Sequence, residues 1–110
     1  MGDQFTQITD TDALEQLLAR SHDAPVVLFK HSTTCPISAA AYKQMSEVEN
    51  EISLVVVQRA REVSSEIAER TGIRHESPQT IVLRNGEAVW NASHFDITKG
   101  AVEQAVREHE

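Results

Sequence analysis

Two short runs of consecutive apolar residues stand out in an otherwise mixed chain: Val26-Val27-Leu28-Phe29, ending in Lys30, and Leu54-Val55-Val56-Val57, ending in Gln58. Both are too short for a helix, and both are continuous rather than alternating. That is the pattern of a strand buried on both faces. Between and around them the apolar residues recur at helical spacing. Ala13, Leu14, Leu17 and Leu18 follow Asp10-Thr11-Asp12, which offers an N-cap. Pro25 closes this first helix region and opens the first strand. A second helix is expected from residue 39 to about 51 and a third over 63–70, the latter stopped by Thr71-Gly72, where glycine suits a left-handed cap. Residues 80–84 form a third strand pattern. Asn85-Gly86 then predicts a type I′ hairpin turn, with Glu87-Ala88-Val89-Trp90 as the returning strand. Asp96 is placed to cap a last helix over 97–108, with Ile97, Ala101, Val102, Ala105 and Val106 as its apolar stripe.

The predicted order is helix, strand, helix, strand, helix, hairpin, helix. Strand–helix–strand units demand right-handed parallel crossovers, and the hairpin adds an antiparallel pair. The expectation is an α/β fold in which a central mixed β-sheet is flanked by helices on both faces, formed as one domain over residues 1–110.

Composition narrows the chemistry. The net charge of −7 and the lack of a Lys/Arg cluster argue against nucleic acid or anionic membrane surfaces as partners. The polar, acidic start Met1-Gly2-Asp3-Gln4-Phe5 has no signal-peptide pattern, and no apolar stretch approaches the ~20 residues of a membrane span. A cytoplasmic location is expected. With one cysteine, an internal disulfide framework and a cysteine-built zinc site are both excluded, and the histidines show no ligand spacing, so no metal is expected.

That cysteine is Cys35, in Lys30-His31-Ser32-Thr33-Thr34-Cys35-Pro36-Ile37-Ser38, between the first strand and the second helix. A lone cysteine is by default a small buried hydrophobe. A strand-to-helix turn changes that reading, because unpaired N–H groups and the helix dipole favour a negative charge there, and the thiolate is the reactive form. Pro36 suits a first helical position, where its missing N–H costs nothing. The amides of Ile37 and Ser38 and the Ser38 hydroxyl are candidate donors to the sulfur. His31 is a possible aid to deprotonation. His75 and His94 read as structural histidines, Trp90 as a core or platform residue, and Glu47, Glu49 and Glu51 as a solvated face.

Cys35-Pro36-Ile37-Ser38 between a buried strand and its helix, with Ser77-Pro78 just before the hairpin, resembles the thioredoxin fold, in which the proline is cis and faces the active-site cysteine. More closely, the chain resembles the monothiol bacilliredoxins, the YtxJ-like proteins of the bacillithiol system. The resemblance is carried by Lys30-His31-Ser32 with Thr34-Cys35-Pro36-Ile37-Ser38, by His75-Glu76-Ser77-Pro78-Gln79, by Asn85-Gly86, and by Val89-Trp90 with Ser93-His94 and Asp96-Ile97. It implies a monothiol thiol–disulfide oxidoreductase that removes bacillithiol from proteins. Cys35 is then the nucleophile, supported by Thr34, Pro36, Ile37 and Ser38, with Ser38 in the place of a resolving cysteine. Ser77 and Pro78 would bind the thiol ligand. Bacillithiol is the implied co-substrate, with no tightly bound cofactor, and bacillithiolated client proteins are the implied partners. Two further readings stay open on the sequence. One is a monothiol glutaredoxin-like protein holding an iron–sulfur cluster, although such relatives show Cys-Gly-Phe-Ser where this chain has Pro36-Ile37. The other is a non-enzymatic thioredoxin-like adaptor in which Cys35 is dispensable.

Overall fold

The structure, a computed structural model, describes residues 5–110; Met1–Gln4, read above as part of a start without a leader, lie outside them. In chain order it contains β1 (Phe5–Gln7), α1 (Thr11–Arg20), β2 (Val26–His31), α2 (Pro36–Ser46), β3 (Ile52–Val56), α3 (Arg61–Thr71), β4 (Gln79–Arg84), β5 (Glu87–Ser93) and α4 (Lys99–Glu108), with a 3₁₀ turn at His94–Asp96. The strands form one five-stranded sheet in the order β1-β3-β2-β4-β5. β3 runs parallel to both β1 and β2, while β4 is antiparallel to β2 and to β5. This is the mixed sheet that the sequence pattern implies.

Each face of the sheet carries its own core, as side-chain alternation along a strand requires. Val27, Phe29, Leu54, Val56 and Val82 pack with Ala41 and Met45 of α2 and Val102, Ala105 and Val106 of α4. On the other face Leu28, Val55, Ile81 and Leu83 meet Leu14, Leu17 and Leu18 of α1 and Val63 and Ile67 of α3. Continuous apolar runs are therefore needed in β2 and β3, whose two faces are both covered.

Local signals act as expected at several boundaries. Asp10 Oδ1 accepts from the Ala13 amide at 2.8 Å and starts α1. Gly72 ends α3 in the left-handed region at φ 72°. Asn85 and Gly86, at φ 58° and 78°, make the hairpin turn with both central residues left-handed, as type I′ demands.

Three boundaries differ from expectation. The second helix stops at Ser46 rather than near residue 51, because the Glu47 and Val48 amides bond to the Gln44 and Met45 carbonyls three residues back. This tightening turns Val48 into the core, where it is 2% exposed, and leaves Glu49 and Glu51 outside. The strand that follows is shifted toward the N-terminus, to Ile52–Val56, since Ile52 is the residue that pairs with both Phe5 and Val27. The last helix is capped by Thr98, whose side chain accepts from the Ala101 amide at 3.2 Å; Asp96 belongs to the preceding 3₁₀ turn. β1 was not expected at all. It is a three-residue edge strand, mostly exposed, and shows no alternation to betray it. Among the described residues no helix is long and apolar enough to cross a membrane.

One core position is not apolar. Lys30 is 0% exposed, and its Nζ donates to Gln79 Oε1 at 3.2 Å. Burial pushes its pKa from 10.5 down to about 8, with the Glu76 carboxylate pulling weakly the other way. Between these two values the unfolded chain holds a proton that the folded chain has released, so stability rises with pH across that window and is lost as pH falls through 8. Denaturant unfolding of wild type and Lys30→Met at pH 7 and pH 10.5 should therefore show the difference moving in favour of wild type by up to ~3 kcal/mol. A difference that does not change with pH contradicts a buried ammonium at this position.

Candidate active site

The antiparallel pairing of β2 with β4 sets Lys30 opposite Gln79. The loop leaving β2 and the loop entering β4 therefore meet at one end of the sheet. The first loop carries Cys35 and the second carries Ser77-Pro78, whose peptide bond is cis.

Cys35 is the N-cap residue of α2, in extended backbone conformation at φ −105° and ψ 124°, followed by Pro36 in the first turn. Its thiol is free and half-buried. Its side chain makes no capping hydrogen bond, so the amides of Ile37 and Ser38 are not bonded to the sulfur in this state. Ser38 is likewise not a donor to the sulfur here. Its side chain is fully buried, and Oγ accepts from the Ser32 amide at 2.9 Å. A serine at this position therefore ties the loop before the cysteine to the helix after it.

A second clasp comes from the β3–α3 connection. Gln58 Nε2 donates to Ser32 Oγ at 2.9 Å and to Thr34 Oγ1 at 3.2 Å, while its Oε1 accepts from the Thr33 amide at 3.2 Å. The Val57 amide also reaches the His31 carbonyl at 2.9 Å. One amide side chain thus grips three consecutive residues before Cys35. Thr34 supports the loop through this contact. No sequence signal marked Gln58, which reads as the polar end of a strand.

His31 closes β2 on the α2 face. Its ring lies 4.9 Å from Tyr42 and 5.6 Å from Phe29, and Tyr42 in turn stacks on Phe5 at 4.7 Å. Nδ1 of His31 is buried with no hydrogen-bond partner among the described residues. Burial pushes its pKa below the usual histidine value, opposed by the Ser38 backbone.

Pro78 is buried and Ser77 half-buried. Ser77 Oγ is the other buried polar side-chain atom without a partner among the described residues. The Pro78 carbonyl accepts from the His94 amide at 3.1 Å, and His94 Nε2 lies 3.7 Å from Glu76 Oε1. His94 occupies left-handed backbone at φ 55°. Ile37, His94 and Phe95 line a small cleft between the start of α2 and the 3₁₀ turn, and Phe95 is 73% exposed. Trp90 packs half-buried against the core under α4. His75 is held by Ser64 Oγ, 3.3 Å from its Nδ1. Among the described residues no three His, Cys, Asp or Glu side chains gather as a metal site.

The family model described as monothiol bacilliredoxin BrxC matches residues 6–102. The chain belongs to the monothiol bacilliredoxin family. Among solved structures it is similar to a candidate oxidoreductase with a thioredoxin fold, at 37% identity over 92% of each chain with a TM-score of 0.85. The thioredoxin of Fasciola hepatica shares 14% identity over 94% of this chain and 98% of its own, with a TM-score of 0.74. The thioredoxin of Trypanosoma brucei brucei shares 14% over 94% and 88%, with a TM-score of 0.75. The two thioredoxins establish the fold. Family and fold together point to thiol redox chemistry, in a bacilliredoxin chain with one cysteine and with Ser38 three residues after it.

The Ser38 clasp is testable. Ser38→Ala leaves the Ser32 amide without its acceptor and should cost about 1–3 kcal/mol in urea unfolding. Ser38→Thr, which retains the hydroxyl, should recover part of the loss if the added methyl is accommodated. Wild-type stability in Ser38→Ala contradicts the clasp.

Proposed function

We propose that this protein removes bacillithiol from S-bacillithiolated client proteins by thiol–disulfide exchange at Cys35. The thiolate of Cys35 attacks the bacillithiol sulfur of the mixed disulfide. A new S–S bond forms between Cys35 and bacillithiol, the old bond breaks, and its electron pair leaves on the client sulfur as a thiolate. A second bacillithiol, or another small thiol, then attacks the Cys35 adduct. It departs with the first as a disulfide and restores the Cys35 thiolate. Electrons balance with the second thiol as reductant.

The observation that carries this reading is a single free, half-buried cysteine at the N-cap of α2, in a chain of the bacilliredoxin family. A helix start favours negative charge by ~0.3–1 kcal/mol. The Ile37 and Ser38 amides at that helix start carry the favourable dipole, and Pro36 begins the turn without wasting a donor. Ser38 leaves no second thiol to close a disulfide within the motif, so the adduct must wait for a thiol from outside. Ser77 and Pro78 are the segment expected to pair with the bound ligand, and Ser77 Oγ, without a partner among the described residues, gives that segment a hydroxyl to offer. His31, kept neutral near pH 7 by burial, adds no positive charge to the sulfur. Its contribution is packing against Tyr42 and one ring nitrogen without a partner among the described residues. The implied co-substrate is bacillithiol, the implied partners are bacillithiolated proteins, and a reducing cytoplasm is the matching compartment.

Turnover on a model protein carrying one bacillithiol mixed disulfide, with free bacillithiol as reductant, tests the reading. Wild type should free the client thiol with catalytic turnover, while Cys35→Ser should fall to the rate without protein. A Cys35→Ser variant as active as wild type refutes it.

A further inference from the structure

A cavity of about 490 Å³ lies against α3, lined among others by Val57, Gln58, Arg61, Ser64, Ser65 and His75. Its size suits a small molecule. Two of its walls belong to the two segments that frame Cys35. Gln58 is the residue that grips Ser32, Thr33 and Thr34, so one wall is bonded directly to the loop ending in the cysteine. His75 stands in the loop that runs to Ser77 and Pro78, and is fixed by Ser64, a residue only 7% exposed.

The lining includes Arg61 and no Asp or Glu, although the chain carries −7 overall. The Arg61 guanidinium makes no ion pair or hydrogen bond among the described residues. Of the nearby acids, Glu66 is 3.8 Å from Arg70 and Glu62 is exposed and not part of the lining, while Glu76, 3.7 Å from His94, acts electrostatically on Lys30 and His75 from outside the lining. Behind His75 lies the buried ammonium of Lys30, whose charge, after burial, depresses the histidine's pKa against the opposing pull of Glu76. Lys30 is bonded to the neutral amide of Gln79 and has no carboxylate within ion-pair distance among the described residues. The cavity thus offers, among the described residues, a guanidinium without an ion pair and the Ser65 hydroxyl on its lining, with the buried Lys30 ammonium behind His75, which is chemistry that holds a carboxylate.

We propose that this cavity receives the carboxylate-bearing part of the small thiol exchanged at Cys35, with Arg61 as its principal anion contact, Ser65 as a hydrogen-bond donor, and Gln58, whose side-chain amide is committed to the loop, as a wall. The inference rests on the exchange reaction proposed above and adds to it the basis of ligand choice. Gln58 then couples ligand to nucleophile, since it touches the cavity and holds the loop before Cys35.

The test is the second-order rate at which Cys35 opens three disulfides, followed by release of the leaving thiol: bacillithiol disulfide and glutathione disulfide, both carrying carboxylates, and the neutral 2-hydroxyethyl disulfide. In each, the Cys35 thiolate attacks one sulfur and the other leaves as thiolate. Wild type should prefer bacillithiol disulfide over the neutral one. Arg61→Gln should lower that preference about tenfold, and Ser65→Asp, which places a carboxylate in the cavity, should lower it as well; both positions are exposed and carry no core packing. Added salt should erode the wild-type preference but not that of Arg61→Gln. A preference that survives both substitutions overturns the cavity assignment and leaves the bacillithiol reaction standing. A preference for glutathione disulfide over bacillithiol disulfide, lost in Arg61→Gln, upholds the cavity and removes the bacillithiol reading. Equal rates on all three in wild type overturn both.

Discussion

The antiparallel register that sets Lys30 of β2 against Gln79 of β4 is the constraint on which the site depends. It forces the C-terminal end of β2 and the N-terminal end of β4 to the same end of the sheet. Cys35 therefore emerges at the same end of the sheet as the cis peptide of Ser77-Pro78, though the two are far apart in sequence. The same pair is joined a second time by side chains, through Lys30 Nζ and Gln79 Oε1, in a position without exposure to water. Gln79 Nε2 continues this link to the Arg74 carbonyl at 3.1 Å, fixing the loop that leads to the proline. A lysine is a costly residue to bury. Here it braces the two segments that frame the thiol.

Around the cysteine the structure holds the loop more tightly than the sulfur. Ser38 and Gln58 between them occupy polar groups on Ser32, Thr33 and Thr34, while Cys35 itself keeps an unbonded side chain at a helix start. Such an arrangement suits exchange chemistry. A rigid approach fixes where the nucleophile sits, and an uncommitted sulfur remains free to form and break bonds. The two buried polar atoms lacking partners among the described residues, His31 Nδ1 and Ser77 Oγ, belong to the same end of the molecule.

Much of this was legible in the residues. Continuous apolar runs marked the doubly covered strands, Asp10 and Gly72 marked helix ends, and Asn85-Gly86 marked the hairpin, because each is a local steric or hydrogen-bonding preference. Cys35 and Ser77-Pro78 were legible as family motifs. What escaped was set by tertiary contact. β1 exists because β3 has an open edge for it, and α2 ends early because Val48 finds a place in the core. Thr98 caps the last helix because Asp96 is taken up in the 3₁₀ turn that precedes it. Ser38 is a candidate donor to the sulfur on sequence alone, yet its oxygen answers to the Ser32 amide, a partner six residues earlier that only the folded loop supplies. Gln58 gave no signal, since nothing local distinguishes a gripping amide from a solvated one.

The central claim is that Cys35 takes the small thiol onto itself and releases the client. Intact-mass spectrometry after mixing the protein with an equimolar client bearing one bacillithiol mixed disulfide, in the absence of free thiol, reads this step directly. The account predicts one bacillithiol added per chain, mapped to the peptide containing Cys35, appearing in step with unmodified client. A covalent heterodisulfide between the protein and its client, or an unchanged mass on both, would contradict it.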